Sequence, residues 1–366
     1  MAKTIQLCYI IIIKILIIYT ILILLNRVMI NLNFLGAAMM TKGKTINGLM
    51  KHIRDKHGIS IDGSRQKREL MQMGYYHGYK RYRYVKKKHN KLNLSDFSEI
   101  KAIYDFDIKL KGLFYRPVID FEILVNNYCI DVLSANKDTD FESAMNNLLT
   151  NHNRYTSGSK NYNNAYKNLL FLKNKIHGKI ASAYKNSENP IAHFVNTSRN
   201  IPIWALFETL SLGDTANFIK ALDVSLRTKM MKNIGIYDPI HDPSGDRITN
   251  HIYIIKDIRN SIAHDIPVFD CGFITAKIDQ KISSNLENET SVKNLKFSFI
   301  IDYMVLLIYY FKKLKTAKSV LRKYINDLEN MIKELEVNIY DKSSFFKIVG
   351  SDVYNKINLV KTYISK

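Results

Sequence analysis

Apolar residues recur at helical spacing along much of this chain. The stretch from Leu321 to Leu335 shows the pattern most clearly, with apolar residues four, three, four and three positions apart. That spacing lines one face of an α-helix and suits either helix packing or a contact between two copies. The chain has only 6 Pro and 15 Gly, fewer than many strands and tight turns would need. We therefore predict an all-α fold.

Two longer segments support this prediction. Residues 98–135 carry apolar side chains at mostly helical spacing and predict one long helix, and residues 204–231 predict a helical stretch broken near Gly213. Residues 297–311 are apolar except for Ser298 and Asp302. This run is too short to span a bilayer and predicts a buried core helix. By contrast, residues 269–296 predict irregular or weakly extended structure.

Composition divides the chain into four parts. We predict an apolar N-terminal segment (1–40), a basic and aromatic helical region (41–95), a main helical domain (96–316) and a C-terminal helical extension (317–366).

Residues 5–25 are almost wholly apolar and long enough for a transmembrane helix. Such a helix would give membrane contact and anchor the protein to the inner face of the cell membrane, with the basic remainder in the cytoplasm. Two alternatives stay open. Met39 and Met40 allow a later start, in which case the segment is not translated, or the segment is a buried helix.

The charge of the chain points to polyanionic partners. Lys and Arg total 54 against 33 Asp and Glu, which gives a formal net charge of +21. A body this basic is attracted to nucleic acid or to an anionic membrane. The three cysteines, Cys8, Cys129 and Cys271, lie far apart, which argues against a disulfide framework and fits a cytoplasmic protein. We predict no metal site, since the histidines show no metal-binding spacing, and no cofactor.

The most specific candidate for chemistry is Arg259-Asn260 followed by His264. RNA supplies its own nucleophile, the 2′-hydroxyl, so its cleavage requires a proton acceptor and positive charge on the phosphate but no metal. A histidine can take the proton, and an arginine can stabilise the phosphate. Asn260 lies one helical turn before His264 and is predicted to orient the imidazole. The alternative interpretation is a surface arginine beside an unrelated histidine.

A second candidate is the basic segment, residues 75–89, in which aromatic and cationic side chains alternate. Cations neutralise phosphates and aromatic rings stack on bases, so the segment predicts RNA contact. Its alternative is a solvated basic face with tyrosines packed inward. The predicted RNA-binding residues are Tyr75, Tyr76, Tyr79, Lys80, Arg81, Arg83, Lys86, Lys87 and Lys88.

Several blocks share order and spacing with one known family. They are Lys56–Ile61, Gly74–Tyr79, Tyr104–Lys111, the surroundings of Glu122, Ile201–Trp204 followed by Leu212-Gly213, and Arg259–His264. Together they cover about residues 42–312 and resemble the Abi family of bacterial abortive-infection proteins (the AbiD/AbiF-like group), whose members belong to the HEPN superfamily. His77, Lys111 and Asn126 stand where that family has arginine.

The resemblance implies a HEPN-type helical bundle with an N-terminal helical extension. It also implies a role in phage defence and metal-independent RNA cleavage by Arg259 and His264. A homodimer would bring two copies of the motif together. The partners it implies are a target RNA and a structured partner RNA. Two other functions stay open: a non-catalytic module that recognises a structured RNA, and a membrane-anchored abortive-infection effector.

Four residues in the matching blocks carry predictions of their own. Asp105, Asp107 and Glu122 are interpreted as buried structural carboxylates that bond helix ends or basic residues, with a catalytic role as the alternative. Trp204 is predicted to lie in the core.

Overall fold

The computed structural model describes residues 43–135, 140–186, 189–278 and 280–366, with the backbone alone at 280–282. Within these ranges the chain forms fifteen α-helices, and its β-bridges are isolated, so they form no sheet. The predicted all-α fold is confirmed.

The helices follow one another closely along the chain. The first eight are α1 (Ile46–His57), α2 (Gly63–Met73), α3 (Phe97–Ser134), α4 (Phe141–Asn147), α5 (Lys160–Tyr184), α6 (Pro190–Asn196), α7 (Ile203–Phe207) and α8 (Leu212–Ala221). The remaining seven are α9 (Val224–Ile234), α10 (Arg247–Ala263), α11 (Gln280–Thr290), α12 (Ile300–Lys313), α13 (Lys318–Asn338), α14 (Lys342–Val349) and α15 (Val353–Ser365). Shorter turns include a π-helical turn, Tyr75–Tyr79, and two 3-10 turns, Arg81–Arg83 and Asn151–Arg154.

Helix α3 is the scaffold for the rest of the fold. It begins at a capping box in which Asp96 and Glu99 each bond the other's backbone, and it runs for 38 residues. At 1.5 Å per residue this is about 57 Å, long enough to contact helices from both halves of the chain. It packs against α9, α10 and α13. The predicted long helix is therefore confirmed within one residue at each end.

The C-terminal helices complete the hydrophobic core. Helix α12 is buried along its whole length from Ile300 to Phe311, as its all-round apolar sequence predicts. Helix α13 turns its seam of Leu321, Ile325, Leu328, Ile332 and Leu335 inward, and all five side chains are buried. Because α13 packs against α3 and α15, the seam is used for helix packing within the chain.

One buried ion pair ties α12 to the last helix. Lys356 on α15 donates to Asp302 Oδ1 at 2.8 Å and to the carbonyl of Asn294 at 2.9 Å. Both side chains of the pair are almost fully buried. Burial raises the pKa of Asp302 to about 6, although Lys356 opposes that shift.

Three sequence predictions need correction. Residues 269–296 are not irregular throughout, since α11 forms there and buries Leu286. The stretch 204–231 is divided among three helices, and its first break precedes Gly213, because Ser211 and Asp214 cap the start of α8. Trp204 is not a core residue: it is 46% exposed. Its short helix turns Ile203 and Leu206 inward and leaves the indole at the surface, edge-on to Phe194.

The membrane prediction concerns residues 5–25, which lie outside the described residues. In the part of the chain that the structure describes, no helix is both long and apolar enough to cross a bilayer.

Candidate nucleic-acid interface

The Arg-x4-His motif lies at the C-terminal end of α10. His264 is the residue that ends the helix, and its backbone N–H donates to the carbonyl of Asn260 at 3.0 Å. The imidazole is exposed and forms no hydrogen bond or ion pair with the described residues. The side chain of Asn260 does not bond it either, so in this structure the two residues are linked through the backbone.

Arg259 reaches towards α3. Its Nε donates to Glu122 Oε2 at 3.1 Å, and the carboxylate is the less exposed partner. Five helical positions separate Arg259 from His264, which amounts to about 140° around the axis and about 7.5 Å along it. One chain therefore does not bring the guanidinium and the imidazole onto the same face. Glu122 bonds a basic residue, as its structural interpretation predicts.

A buried carboxylate on α3 holds the loop that follows the motif, residues 265–270, which we call the motif loop. Asp107 Oδ1 accepts from the backbone N–H groups of Val268 at 2.6 Å and Phe269 at 2.7 Å. Its Oδ2 accepts from the Tyr82 hydroxyl at 2.7 Å and lies 3.0 Å from Lys111 Nζ. Asp107 is fully buried, so these four contacts satisfy a carboxylate that has lost its water. The structural interpretation of Asp107 is confirmed.

Lys111 extends this network to the residue after His264. Its ammonium donates to Asp265 Oδ1 at 2.6 Å. Burial lowers the pKa of Lys111, but Asp107 and Asp265 outweigh that effect and raise it. Burial and the adjacent Asp107 raise the pKa of Tyr82 far above its usual range, so the phenol remains a hydrogen-bond donor.

A second buried carboxylate ties the same loop to the basic segment. Asp270 Oδ2 accepts from Arg81 at 2.9 Å and from the backbone N–H of Lys86 at 2.6 Å. Lys86 adopts a left-handed backbone conformation, with φ of 60°, so the chain turns at this residue, just before Lys87 and Lys88. The motif loop and the basic segment are thus parts of one hydrogen-bonded unit, although more than 180 residues separate them in sequence.

The basic segment is only partly available to a ligand. Tyr76, Lys86, Lys87 and Lys88 are exposed, and Tyr75, Lys80 and Arg81 are partly exposed. Tyr79 and Arg83 are buried, with the guanidinium 5.3 Å from the centre of the Tyr79 ring. Their burial indicates a packing role for these two residues. RNA contact by the other seven stays a prediction.

The tight turn at Gly78 explains how the segment packs so closely. A Cβ atom at this position would lie 2.2 Å from the carbonyl oxygen of Met73. Only glycine therefore fits, and the π-helical turn can fold back onto α2 and present Tyr76 and Lys80 to solvent. The ammonium of Lys80 lies 5.3 Å from the centre of the Tyr76 ring.

These elements enclose a cleft of about 420 Å³. The basic segment provides one side of it, while α3 and the loop after His264 provide the other. Cations, aromatic rings and one carboxylate line it, namely Tyr76, His77, Lys80, Arg81, Tyr82, Tyr84, Lys86, Lys87, Lys88, Tyr104 and Asp265, together with Met73, Gly78 and Pro267. The sequence pattern indicated the cations and tyrosines of the basic segment but not Tyr104 and Asp265, because only the folded chain brings these two residues to the cleft.

A second cleft, of about 390 Å³, lies between the turn Asn151–Arg154, α5 and α8. Its lining is rich in asparagine and contains none of the predicted site residues. Within the described residues, no group of three or more His, Cys, Asp or Glu side chains is placed to hold a metal ion.

Comparison with known proteins gives one match. The family model described as Abi-like protein matches residues 68–270, more than half of the chain, and that range includes both the basic segment and the motif. No curated protein and no solved structure matches significantly.

Proposed function

The chain belongs to the Abi-like protein family, and from this premise we propose that it binds RNA in the cleft beside His264 and cleaves it without a metal ion. Family membership supports a role in phage defence by abortive infection. The finer proposal, a HEPN-type endoribonuclease that uses an Arg-x4-His motif, is supported by the position of the motif relative to the cleft.

The observation that carries the proposal is the shared cleft. Asp265, the residue immediately after His264, lines the same cavity as Lys86, Lys87 and Lys88. A strand whose phosphates contact these lysines would pass close to the end of α10. Because cations supply most of the affinity for a nucleic-acid backbone and aromatic rings stack on its bases, the lining suits single-stranded RNA.

The chemistry assigned to the motif is acid–base catalysis with electrostatic support. An imidazole at His264 can take the proton of the 2′-hydroxyl or return one to the leaving oxygen. The guanidinium of Arg259 would stabilise the phosphate as negative charge develops on it. Asn260 is the third residue assigned to the site, and in this structure its link to His264 is its backbone carbonyl, which accepts from the His264 N–H.

The separation of Arg259 and His264 favours a site built from two chains. In one chain the two groups face different directions, and Glu122 holds the guanidinium. In a homodimer with two-fold symmetry, His264 of one protomer and Arg259 of its partner can approach the same phosphate. We therefore propose that the active species is a homodimer.

The test is cleavage of labelled single-stranded RNA by the full chain and two variants. We expect His264→Ala and Arg259→Ala each to reduce the rate by about 100-fold or more, because acid–base catalysis by His264 and charge stabilisation by Arg259 each contribute about that much. His241→Ala changes another exposed histidine, one that does not line the cleft, and should cleave normally. EDTA should leave the rate unchanged. Full activity in both motif variants, or strong inhibition by EDTA, would contradict the proposal.

A non-catalytic RNA-binding module is the second candidate function. The ion pair between Arg259 and Glu122 favours it, because an engaged guanidinium is not free to bind phosphate. Under this alternative the unmodified protein binds RNA but does not cut it. In both cases, changing Lys86, Lys87 and Lys88 to alanine should reduce the slope of log K against log salt by about 2, at about 0.7 per phosphate contact.

A further inference from the structure

A single carboxylate stands in the otherwise cationic cleft. Asp265 has a left-handed backbone with φ of 52°, and its side chain is 85% exposed. Lys111, which is only 10% exposed, donates to its Oδ1 at 2.6 Å. Oδ2 accepts no hydrogen bond from the described residues. Lys111 therefore holds Oδ1 of the carboxylate, while Oδ2 faces solvent.

This carboxylate opposes phosphate binding rather than assisting it. Lys86, Lys87 and Lys88 line the same cleft and suit the phosphates of a strand, whereas Asp265 would repel them. A fixed, exposed carboxylate is instead suited to a ligand group that donates hydrogen bonds.

Aromatic side chains around the same space suit a base. Tyr76, Tyr84 and Tyr104 line the cleft at or near its surface, and the buried Tyr82 meets Tyr104 edge to face at 5.3 Å between ring centres. Bases of single-stranded RNA stack on such rings, and their Watson–Crick edges are then open to hydrogen bonding. The volume of about 420 Å³ lies within the range of small-ligand clefts, about 300–1,000 Å³.

From these observations we infer that the cleft binds a guanine nucleotide and that Asp265 recognises the base. Guanine presents two adjacent N–H donors, N1 and N2, on its Watson–Crick edge, which match the two oxygens of one carboxylate. Adenine and cytosine place a ring nitrogen acceptor beside their amino group, and this acceptor would face the carboxylate unfavourably. Lys80, on the cleft wall, can donate to the O6 acceptor that remains on guanine. The inference rests on the proposed function for the nature of the polymer, RNA.

The experiment measures binding of the full-length protein to short oligouridine probes that carry one central guanine, inosine or adenine. Fluorescence anisotropy on the His264→Ala variant keeps the probes intact. We expect the guanine probe to bind about tenfold more tightly than the adenine probe, the size of effect that one bidentate base contact gives. Inosine, which lacks the N2 amino group, should fall between them. Competition with GMP shows whether the site also takes a free nucleotide or needs the strand.

The matched variants are Asp265→Asn and Asp327→Asn. Asparagine tolerates the left-handed backbone and keeps the side chain's size, but it replaces one acceptor with a donor. Asp327 is a partly exposed aspartate on α13 that does not line the cleft, so its variant makes the same change in net charge. Asp265→Asn should bring guanine and adenine probes to nearly equal affinity, while Asp327→Asn keeps the preference.

Three results would overturn the inference. The first is equal binding of the guanine and adenine probes by the His264→Ala protein. The second is an unchanged preference for guanine when Asp265→Asn is added to that protein. The third is that Asp327→Asn loses the preference to the same degree. If the protein binds none of the probes at low salt, RNA binding itself fails, which separates failure of the proposed function from failure of base recognition alone.

Discussion

Replacing Asp107 with alanine should destabilise the protein more than most substitutions on α3. The change removes the acceptor for two buried backbone N–H groups, those of Val268 and Phe269, and leaves each unsatisfied at about 1–3 kcal/mol. Tyr82 also loses its acceptor, and Lys111 loses one of its two carboxylates, at about 1 kcal/mol for each. The total is about 4–8 kcal/mol, a large part of the 5–15 kcal/mol typical of whole domains at about room temperature.

Asp107→Asn separates the backbone contacts from the charge. The amide oxygen can still accept from Val268 and Phe269, but its NH₂ group would face the Tyr82 hydroxyl and the Lys111 ammonium, both of which donate. We expect a cost of about 2 kcal/mol. Asp105→Ala is the control on the same helix, because Asp105 is half-exposed and, among the described residues, pairs only with Lys101, and such pairs contribute at most about 1 kcal/mol.

Urea unfolding followed by circular dichroism measures all three variants, and a constant slope with urea shows that the comparison is valid. Hydrogen exchange gives a local measurement, since the amides of Val268 and Phe269 should exchange faster in Asp107→Ala than in the control. If Asp107→Ala costs less than about 1 kcal/mol, or no more than Asp105→Ala, the carboxylate is not what holds the motif loop.

Two further predictions concern stability away from the cleft. Leu328→Ala should lower the free energy of unfolding by about 3 kcal/mol, because the side chain is fully buried on α13. Val337→Ala, at an exposed position of the same helix, should change it by less than about 0.5 kcal/mol. Equal costs would contradict the packing of the seam. Burial, with a smaller contribution from nearby cations, lowers the pKa of His57 to about 4, so between pH 6.5 and 4 the unfolded chain binds a proton that the folded chain does not. Stability should therefore fall as the pH is lowered through that range, and His57→Asn should make the fall shallower, as urea titrations at several pH values can measure; an equally steep fall in the variant would contradict the role of His57.

The helices were predictable from sequence because their signals are local. The run from Leu321 to Leu335 and the apolar spacing of residues 98–135 depend on side chains a few positions apart, and both helices form in the structure. Trp204 shows the limit of such signals. Apolar spacing indicates that a helix forms, but which of its side chains are covered depends on neighbours distant in sequence.

The site was predictable only in part, for the same reason. Its cations and the Arg259/His264 motif stand out as local patterns. By contrast, the bond between Arg259 and Glu122 joins residues 137 positions apart, and that between Lys111 and Asp265 joins residues 154 positions apart. Asp265 itself belongs to no local pattern, and only its place in the folded cleft draws attention to it.

The pair between Asp302 and Lys356 affects the order in which the chain can complete its fold during translation. The two residues are 54 positions apart, so at about 5–20 residues per second the ribosome adds Lys356 roughly 3–11 s after Asp302. Until then the carboxylate has no cation, and burying α12 would leave it unpaired. Packing of α12 as part of a charged pair therefore requires α15, and packing it earlier would bury Asp302 without a cation. A ribosome that stalls in this interval would hold a nascent chain with α12 uncovered, a form that chaperones bind and proteases cut.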